Sequence, residues 1–393
     1  MRPDDFFADD RRRRLAAGLQ RSVRPVDGPQ DARLVLDGRP VLSLCSNNYL
    51  GLANHPQVIE AAVDAARAYG VGSGASRLIS GSMRVHEELE DRLASFKGAD
   101  ACLLFTSGYQ ANLGVIGSLV GPGDAVFSDA LNHASLIDGC RLSRAAVHVY
   151  GHGDPAALED RLRSVNARRR LIVTDSVFSM DGDAAPLAAI CDLAERYDAM
   201  VMVDEAHATG VVGARGAGLV EALGLERRVT VQMGTLGKAL GGFGAYVAGS
   251  SALIDFLINR ARTFVFTTAL PPPVVAAAAA ALTLVEREPE RRVAVRRNAD
   301  RLRAGLGALG YDVRGDADSH IVPIVIGTAA ATMELSEALL ANGVFAHGIR
   351  PPTVAEGTAR IRATVMATHT DADIDEALGV FAAVRPAARR VAR

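Results

Sequence analysis

The side chain with the most chemistry to offer lies in Val231-Gln232-Met233-Gly234-Thr235-Leu236-Gly237-Lys238-Ala239-Leu240-Gly241-Gly242-Phe243-Gly244. Of the 43 basic residues, all but Lys97 and Lys238 are arginine. A lysine can lose its proton when partly buried, and its free amine can form a Schiff base with an aldehyde; an arginine can do neither. Lys238 follows Thr235 and precedes a glycine-rich turn, where the backbone leaves room for a cofactor. Taken alone, the stretch also reads as an ordinary glycine-rich loop.

Four other stretches end apolar runs in polar residues, as the rim of a site should. Ser107-Gly108-Tyr109 opens a helix, and the first amides of a helix are unpaired and partly positive, so they can hold a phosphate without a lysine. Ser107 also fits a plain N-cap. Asn132-His133-Ala134-Ser135 offers an imidazole face, and Ser176-Val177-Phe178-Ser179-Met180-Asp181-Gly182-Asp183 offers hydroxyls and carboxylates. Asp204-Glu205-Ala206-His207 follows a run that is apolar on both faces. A carboxylate buried there needs a partner, either a protonated ring nitrogen or an arginine; a structural Asp–His pair is the bland alternative. The same four letters match the acidic box of a DEAH-type ATPase. That reading needs G-x-x-x-x-G-K-[ST], and neither lysine is followed by Ser or Thr, which disfavours it. A phosphate site, an Asp for a ring nitrogen, a His with an aromatic face and a lysine for an aldehyde together describe pyridoxal 5'-phosphate. The Asp keeps the pyridine protonated, and the ring becomes an electron sink.

The elements that must position these groups follow from pattern. From residue 101 onward, short apolar runs at 101–105, 125–127, 146–149, 171–173, 200–203, 229–232 and 245–248 alternate with helical segments. Continuous apolar runs of this kind predict an α/β fold with a mostly parallel sheet covered on both faces, whose ligands gather at the carboxyl ends of the strands. Residues 33–45 predict a hairpin turning at Asp37-Gly38. Helices are expected over 56–69, 85–96 and from about 108 to 120. A long Ala-rich helix follows Pro271-Pro272-Pro273, with a break near Pro289, and runs to about Leu309. Strands over 320–326, 344–349 and 359–366 and helices near 332–341 and 372–384 predict a smaller α+β unit. The expected division is an N-terminal segment 1–50 joining the small domain, a large domain 51–289 and a C-terminal small domain 290–393. Gly70–Arg77 contains a G-x-G without a preceding strand and is expected as a flexible active-site loop, not a dinucleotide fingerprint. The arginines near the N-terminus predict a solvated helix face, and the Arg-rich end beyond Val384 a frayed tail.

Composition narrows the classes. The chain has 393 residues, 49% of them hydrophobic, with a formal net charge of -2, so it can bury a large core and carries no global electrostatic case for nucleic acid or anionic membrane. Cys45, Cys102, Cys140 and Cys191 are scattered without metal-ligand spacing, so no metal site is expected and they read as buried free thiols. No apolar stretch is long enough to span a bilayer, and the expected location is the cytoplasm.

The motifs Ser46-Asn47-Asn48-Tyr49-Leu50-Gly51-Leu52, Asn132-His133-Ala134-Ser135-Leu136, Val177–Asp183, Asp204–His207 and Gly234-Thr235-Leu236-Gly237-Lys238 resemble those of the α-oxoamine synthases. The resemblance runs from about Arg21 to the 370s. It implies a fold type I aminotransferase-like architecture, with a seven-stranded sheet in the large domain, and a homodimer with its site at the interface. It further implies that Lys238 carries the cofactor's Schiff base, that Asp204 pairs with the ring nitrogen and that His133 stacks on the ring. Ser179 and His207 would contact the phenolic oxygen, and Gly108, Tyr109 and Thr235 the phosphate. Thr267 and Thr268 would reach the partner subunit's cofactor. Arg21, His133, Thr353 and Arg362 would bind substrate, with Arg362 on the amino-acid carboxylate. Gly72–Gly81 and Ile349–Val354 look most like the branch that condenses L-alanine with pimeloyl-CoA or pimeloyl-acyl carrier protein. Asn48 stands where many members of that branch have Asp, and residues 46–56 read equally well as the branch that joins glycine to acetyl-CoA. Other members of the family, joining glycine to succinyl-CoA or serine to a long acyl-CoA, are further alternatives.

Overall fold

The computed structural model describes residues 3–16 and 18–385. The tail expected beyond Val384 lies, from residue 386 onward, outside the described residues. The seven apolar runs form one sheet: β1 (Ala101–Phe105), β2 (Ala125–Asp129), β3 (Ala146–Tyr150), β4 (Arg170–Asp175), β5 (Ala199–Asp204), β6 (Val231–Thr235) and β7 (Ala245–Gly249). Their order is β1-β7-β6-β5-β4-β2-β3, with β7 antiparallel to both its neighbours and the other pairings parallel. The central strands are buried almost throughout, as expected for strands covered on both faces. The parallel strands all end at one edge of the sheet. There the chain turns into Ser107, Asn132-His133, Ser179, Asp204–His207 and Lys238, so residues from across the sequence converge on one rim.

The N-terminal hairpin forms as its turn chemistry predicts. Residues 33–36 pair with 39–42, and Asp37 and Gly38 take positive φ of 52° and 73°, the twist that a two-residue turn needs. The expected strand 344–349 is corrected: it splits into two short strands in different sheets. Residues 344–345 add in parallel to 42–43, and residues 348–349 pair antiparallel with 360–361. The chain crosses between sheets at Ala346-His347, so each half satisfies its backbone against a different neighbour. The Ala-rich helix spans Pro272–Arg287, and a second helix resumes at Glu290 after Pro289.

The glycine-rich stretch at 70–77 is tied down instead of free. Ser73 Oγ donates to the carbonyl of Leu270 at 2.6 Å, and Arg77 makes a bidentate pair with Glu90 at 2.8 Å per bond. Three cysteines are buried and Cys45 is half-buried; all four are free thiols. Among the described residues no helix is long and apolar enough to cross a membrane.

Candidate active site

Lys238 sits in the turn between β6 and β7. Leu236 N donates to Gly244 O and Gly242 N to Leu236 O, which closes the turn around it. Gly241 has φ of +65°, and a Cβ there would lie 2.3 Å from the amide nitrogen of Ala53. The lysine turn therefore presses on the loop that carries Ser46–Leu52, and only glycine permits that approach. Lys238 is half-buried, and among the described residues its ammonium makes no hydrogen bond. Desolvation lowers its pKa, opposed by the carboxylates of Asp204 and Asp175. A lowered lysine pKa supplies the free amine that an aldehyde requires.

Asp204 ends β5 and is buried. Its Oδ1 accepts from Ala206 N at 2.9 Å and its Oδ2 from the Asn112 amide at 2.8 Å. In neighbouring β4, Asp175 stands in register with Asp204 and accepts from the backbone N–H of His133 at 2.7 Å. Burial pushes the Asp175 carboxyl well up, and the charge of Asp204 adds to it. His133 caps the helix α2 (Ala134–Ser143), its Nδ1 lying 2.7 Å from Ser135 Oγ. Its ring stays exposed at the rim, and partial desolvation lowers its pKa, with Asp204 opposing and Lys238 reinforcing. His207 is buried, with Nδ1 2.7 Å from Tyr49 Oη. Burial, then the charges of Lys238 and Arg362, hold its pKa well below the usual histidine value, so the ring is neutral. The mutual electrostatic influence of Lys238, Asp204, His133, His207 and Arg362 marks them as one cluster.

Arg362 is buried at the edge of that cluster. Its Nε donates to Ser179 O, and its terminal nitrogens reach Asn47 Oδ1 at 3.3 Å and Tyr49 Oη at 3.4 Å. Ser179 is thus brought beside the cluster through its carbonyl. Arg21 and Thr353, far apart in sequence, line one cavity of about 550 Å³ together with Arg350 and His347. The carbonyl of His347 accepts from Arg362 N at 3.2 Å, so this cavity adjoins the cluster. Thr267 and Thr268 do not join it within the chain; they border a small crevice beside Arg77, His86 and Thr106.

The remaining positions test the fit to a phosphate. The helix α1 (Gly108–Leu119) begins where β1 ends, with Ser107 Oγ accepting from Gln110 N at 3.2 Å. This leaves the amides of Gly108 and Tyr109 as first-turn donors. A Cβ on Gly108 would lie 2.8 Å from Thr235 Cγ2, so glycine lets the helix start close against the end of β6. Thr235 Oγ1 and Thr106 Oγ1 are buried there with no partner among the described residues. Free amides, orphaned hydroxyls and a helix N-terminus fit a phosphate. With Asp204 for a ring nitrogen and Lys238 for an aldehyde, the donor set fits pyridoxal phosphate. The Tyr109 hydroxyl is already engaged by Asp138, so the backbone of Tyr109 is what it offers to such a group.

Two sequence signals resolve differently in three dimensions. Glu205 of the Asp-Glu-Ala-His stretch faces away from the rim and pairs with Lys97, both side chains fully buried. That pair removes the ATPase reading and gives Lys97 a structural task. Lys97→Met leaves Glu205 as an uncompensated buried charge, and an expected loss of about 3–5 kcal/mol shows as a lower denaturation midpoint; replacing Glu205 by Leu in the same chain removes that charge but leaves the buried N–H of Val220 without its acceptor, so only part of the loss is recovered. Asn48 is the second. Its Oδ1 accepts from the amides of Leu52 at 2.9 Å and Ala53 at 3.1 Å, which folds the loop. An aspartate oxygen would accept the same bonds and would give up only the long bond of 3.5 Å that Asn48 Nδ2 donates to the carbonyl of Gln30. Asn48→Asp is therefore expected to shift the melting midpoint by no more than about 3 °C and to leave amino-acid preference unchanged in paired assays.

Sequence reasoning missed Asp175, Asn112, Ser135 and Tyr49 as parts of the site. Asp175 carried the same signal as Asp204, an acidic residue closing an apolar strand. Ser135 and Tyr49 lay inside family-like motifs without an assigned role.

A profile of the aminotransferase class I and II family matches residues 39–381. The chain is 52% identical over 378 residues to an 8-amino-7-oxononanoate synthase of Citrifermentans bemidjiense, covering 95% of this chain and 97% of that one. Among solved structures, serine palmitoyltransferase of Sphingomonas wittichii superposes with a TM-score of 0.92 at 33% identity, covering 96% of each chain. A serine palmitoyltransferase structure holding a pyridoxal-phosphate internal aldimine matches with the same TM-score of 0.92, identity of 33% and coverage of 96% of each chain. The chain belongs to the class I and II aminotransferase family of pyridoxal-phosphate enzymes and, within it, to the 8-amino-7-oxononanoate synthases.

Proposed function

We propose that the chain condenses L-alanine with a pimeloyl thioester, on CoA or acyl carrier protein, to give 8-amino-7-oxononanoate, CO2 and free thiol in biotin biosynthesis. The observation that carries the chemistry is the convergence of Lys238, Asp204 and His133 beside the unpaired donors of α1 and Thr235. Pyridoxal phosphate, when bound, supplies the electron sink that makes the amino acid's α-proton removable. Lys238 holds the cofactor and, as a free amine, takes and returns the α-proton. Asp204 offers the charge that keeps a ring nitrogen protonated. His207 and Ser179 serve the phenolic oxygen, and neutral His207 is held in place by Tyr49. Gly108, Tyr109 and Thr235 serve the phosphate. His133 covers the ring and donates a hydrogen bond to the acyl oxygen as negative charge develops on it.

Arg362 takes the amino-acid carboxylate as a fork, and Arg21 and Thr353 take the acyl donor in the adjoining cavity. Thr267 and Thr268 serve the partner subunit's cofactor in a homodimer. The exposed apolar side chains Val71, Ile79, Phe243 and Phe266 support such an interface. We assign residues 51–289 to the cofactor-binding domain and residues 1–50 with 290–393 to the second domain; the pairing of 344–345 with 42–43 supports that grouping.

Thiol release by purified protein with pyridoxal phosphate tests the reading on two pairs. Release with L-alanine and pimeloyl-CoA, and none with glycine and acetyl-CoA, is expected. Release with the glycine pair alone moves the chain to the glycine branch. If neither pair reacts, pimeloyl-acyl carrier protein is the donor to try, and silence with that donor too overturns the assignment.

A further inference from the structure

Asp204, as a carboxylate, only accepts hydrogen bonds. The atom of Asn112 that lies 2.8 Å from its Oδ2 must then be the amide nitrogen. The same nitrogen lies 2.8 Å from Ser135 Oγ. An amide N–H only donates, so Ser135 accepts from Asn112 and keeps its own hydroxyl proton to give elsewhere. Nδ1 of His133 stands in reach at 2.7 Å. The backbone N–H of Ser135 points at that same Nδ1, at 3.3 Å. Two donors converge on one ring nitrogen, so Nδ1 carries a lone pair and the proton of the neutral ring is on Nε2. Asn112 and Ser135 are both buried, so water does not compete for the bonds that Asn112 makes to Asp204 and Ser135. The lowered pKa of His133 agrees with a neutral ring.

We propose that Asn112 and Ser135 are positioning residues: a relay from Asp204 that fixes His133 in its Nε2–H tautomer. The directions of the two Asn112 bonds are set at the Asp204 end. At the other end the backbone N–H of Ser135, which can only donate, sets the direction at Nδ1, because a proton there would face it. The consequence is a ring that presents a donor, not a lone pair, on the edge not bonded to the protein. No described residue bonds Nε2, so that N–H is available to a reactant oxygen. This catalytic consequence rests on the proposed function; the tautomer does not.

The test uses the full-length holoenzyme with 15N-labelled histidine and long-range proton–nitrogen correlation spectra. The His133 signals are identified by their loss in His133→Asn. A protonated Nε2 and an unprotonated Nδ1 are expected. In Ser135→Ala the Nδ1–H share should rise about fivefold, the factor that one net hydrogen bond gives. Ser135→Thr, which keeps the hydroxyl, should restore the original pattern. In turnover, Ser135→Ala should lower kcat more than it changes KM for the amino acid, with cofactor affinity unchanged. An Nδ1–H or doubly protonated His133 in the unaltered enzyme overturns the proposal, as does a tautomer ratio in Ser135→Ala equal to that of the unaltered enzyme. The expected tautomers together with no thiol release from any acyl donor would leave the relay standing and remove the reaction assigned to the chain.

Discussion

Lys238→Ala abolishes turnover, by at least roughly 10⁴-fold, while the chain still folds and still binds pyridoxal phosphate without a covalent bond. The size follows from the two tasks proposed for one amine. A general base positioned at the reacting carbon is worth up to about 10⁴-fold, and loss of the covalent hold on the cofactor adds to that. Folding survives because the lysine ammonium makes no hydrogen bond among the described residues, and the turn around it is closed by backbone pairs from Leu236 to Gly244. Alanine satisfies those pairs equally well. Borohydride reduction of the unaltered holoenzyme, followed by peptide mapping, checks the assignment directly. The label is expected on Lys238 alone. Lys97, the other lysine, is fully buried and committed to Glu205 and the carbonyl of Ala217, so a cofactor has no route to it. A pyridoxyl label on Lys97, or measurable turnover by Lys238→Ala, would sink the role given to Lys238.

The parts of this site that could be read in the sequence are those whose signal is local. Asp37-Gly38 announces its turn because only residues tolerant of positive φ suit it. The ends of the parallel strands announce the rim, because a buried apolar run that stops at Asp204 or Ser107 must place that polar group where the sheet opens. What stayed hidden depends on distant partners. Nothing within Val344–Ile349 says that it divides between two sheets; the division is imposed by residues 42–43 on one side and 360–361 on the other. Arg21 and Thr353 share a cavity only because that crossing brings the C-terminal segment alongside the N-terminal one. Asn112 is a buried helix residue whose amide meets Asp204 across the sheet, and side-chain bonds of that range leave no trace in spacing. Two motif residues changed meaning for the same reason. Glu205 stands beside Asp204, yet successive strand-end side chains point to opposite faces, and it serves the core.

Asp204→Asn should cost roughly a hundredfold or more in kcat at saturating pyridoxal phosphate, the factor that about 3 kcal/mol gives. The aspartate has two obligations in the fold and, in the proposed function, one toward the cofactor. Both of its oxygens accept from the protein, Oδ1 from the Ala206 amide and Oδ2 from Asn112. An asparagine keeps one acceptor and turns an NH2 toward the other donor, so one buried pair becomes two donors face to face. Turning Asn112 over relieves that clash but places its carbonyl oxygen against Ser135, and the bond directions that reach His133 change with it. The larger loss is of charge. A neutral amide cannot keep the pyridine nitrogen protonated in a buried setting, and an unprotonated ring is a poor electron sink. Lys238, whose pKa Asp204 supports against burial, also loses part of that support, so its pKa should fall further. Binding of the cofactor and the melting midpoint separate these effects from simple unfolding. A variant that melts close to the unaltered chain and binds cofactor, yet releases thiol at a hundredth of the rate, is the expected result. Near-normal release at saturating cofactor would mean that the ring nitrogen takes its proton from elsewhere and that Asp204 serves the fold alone.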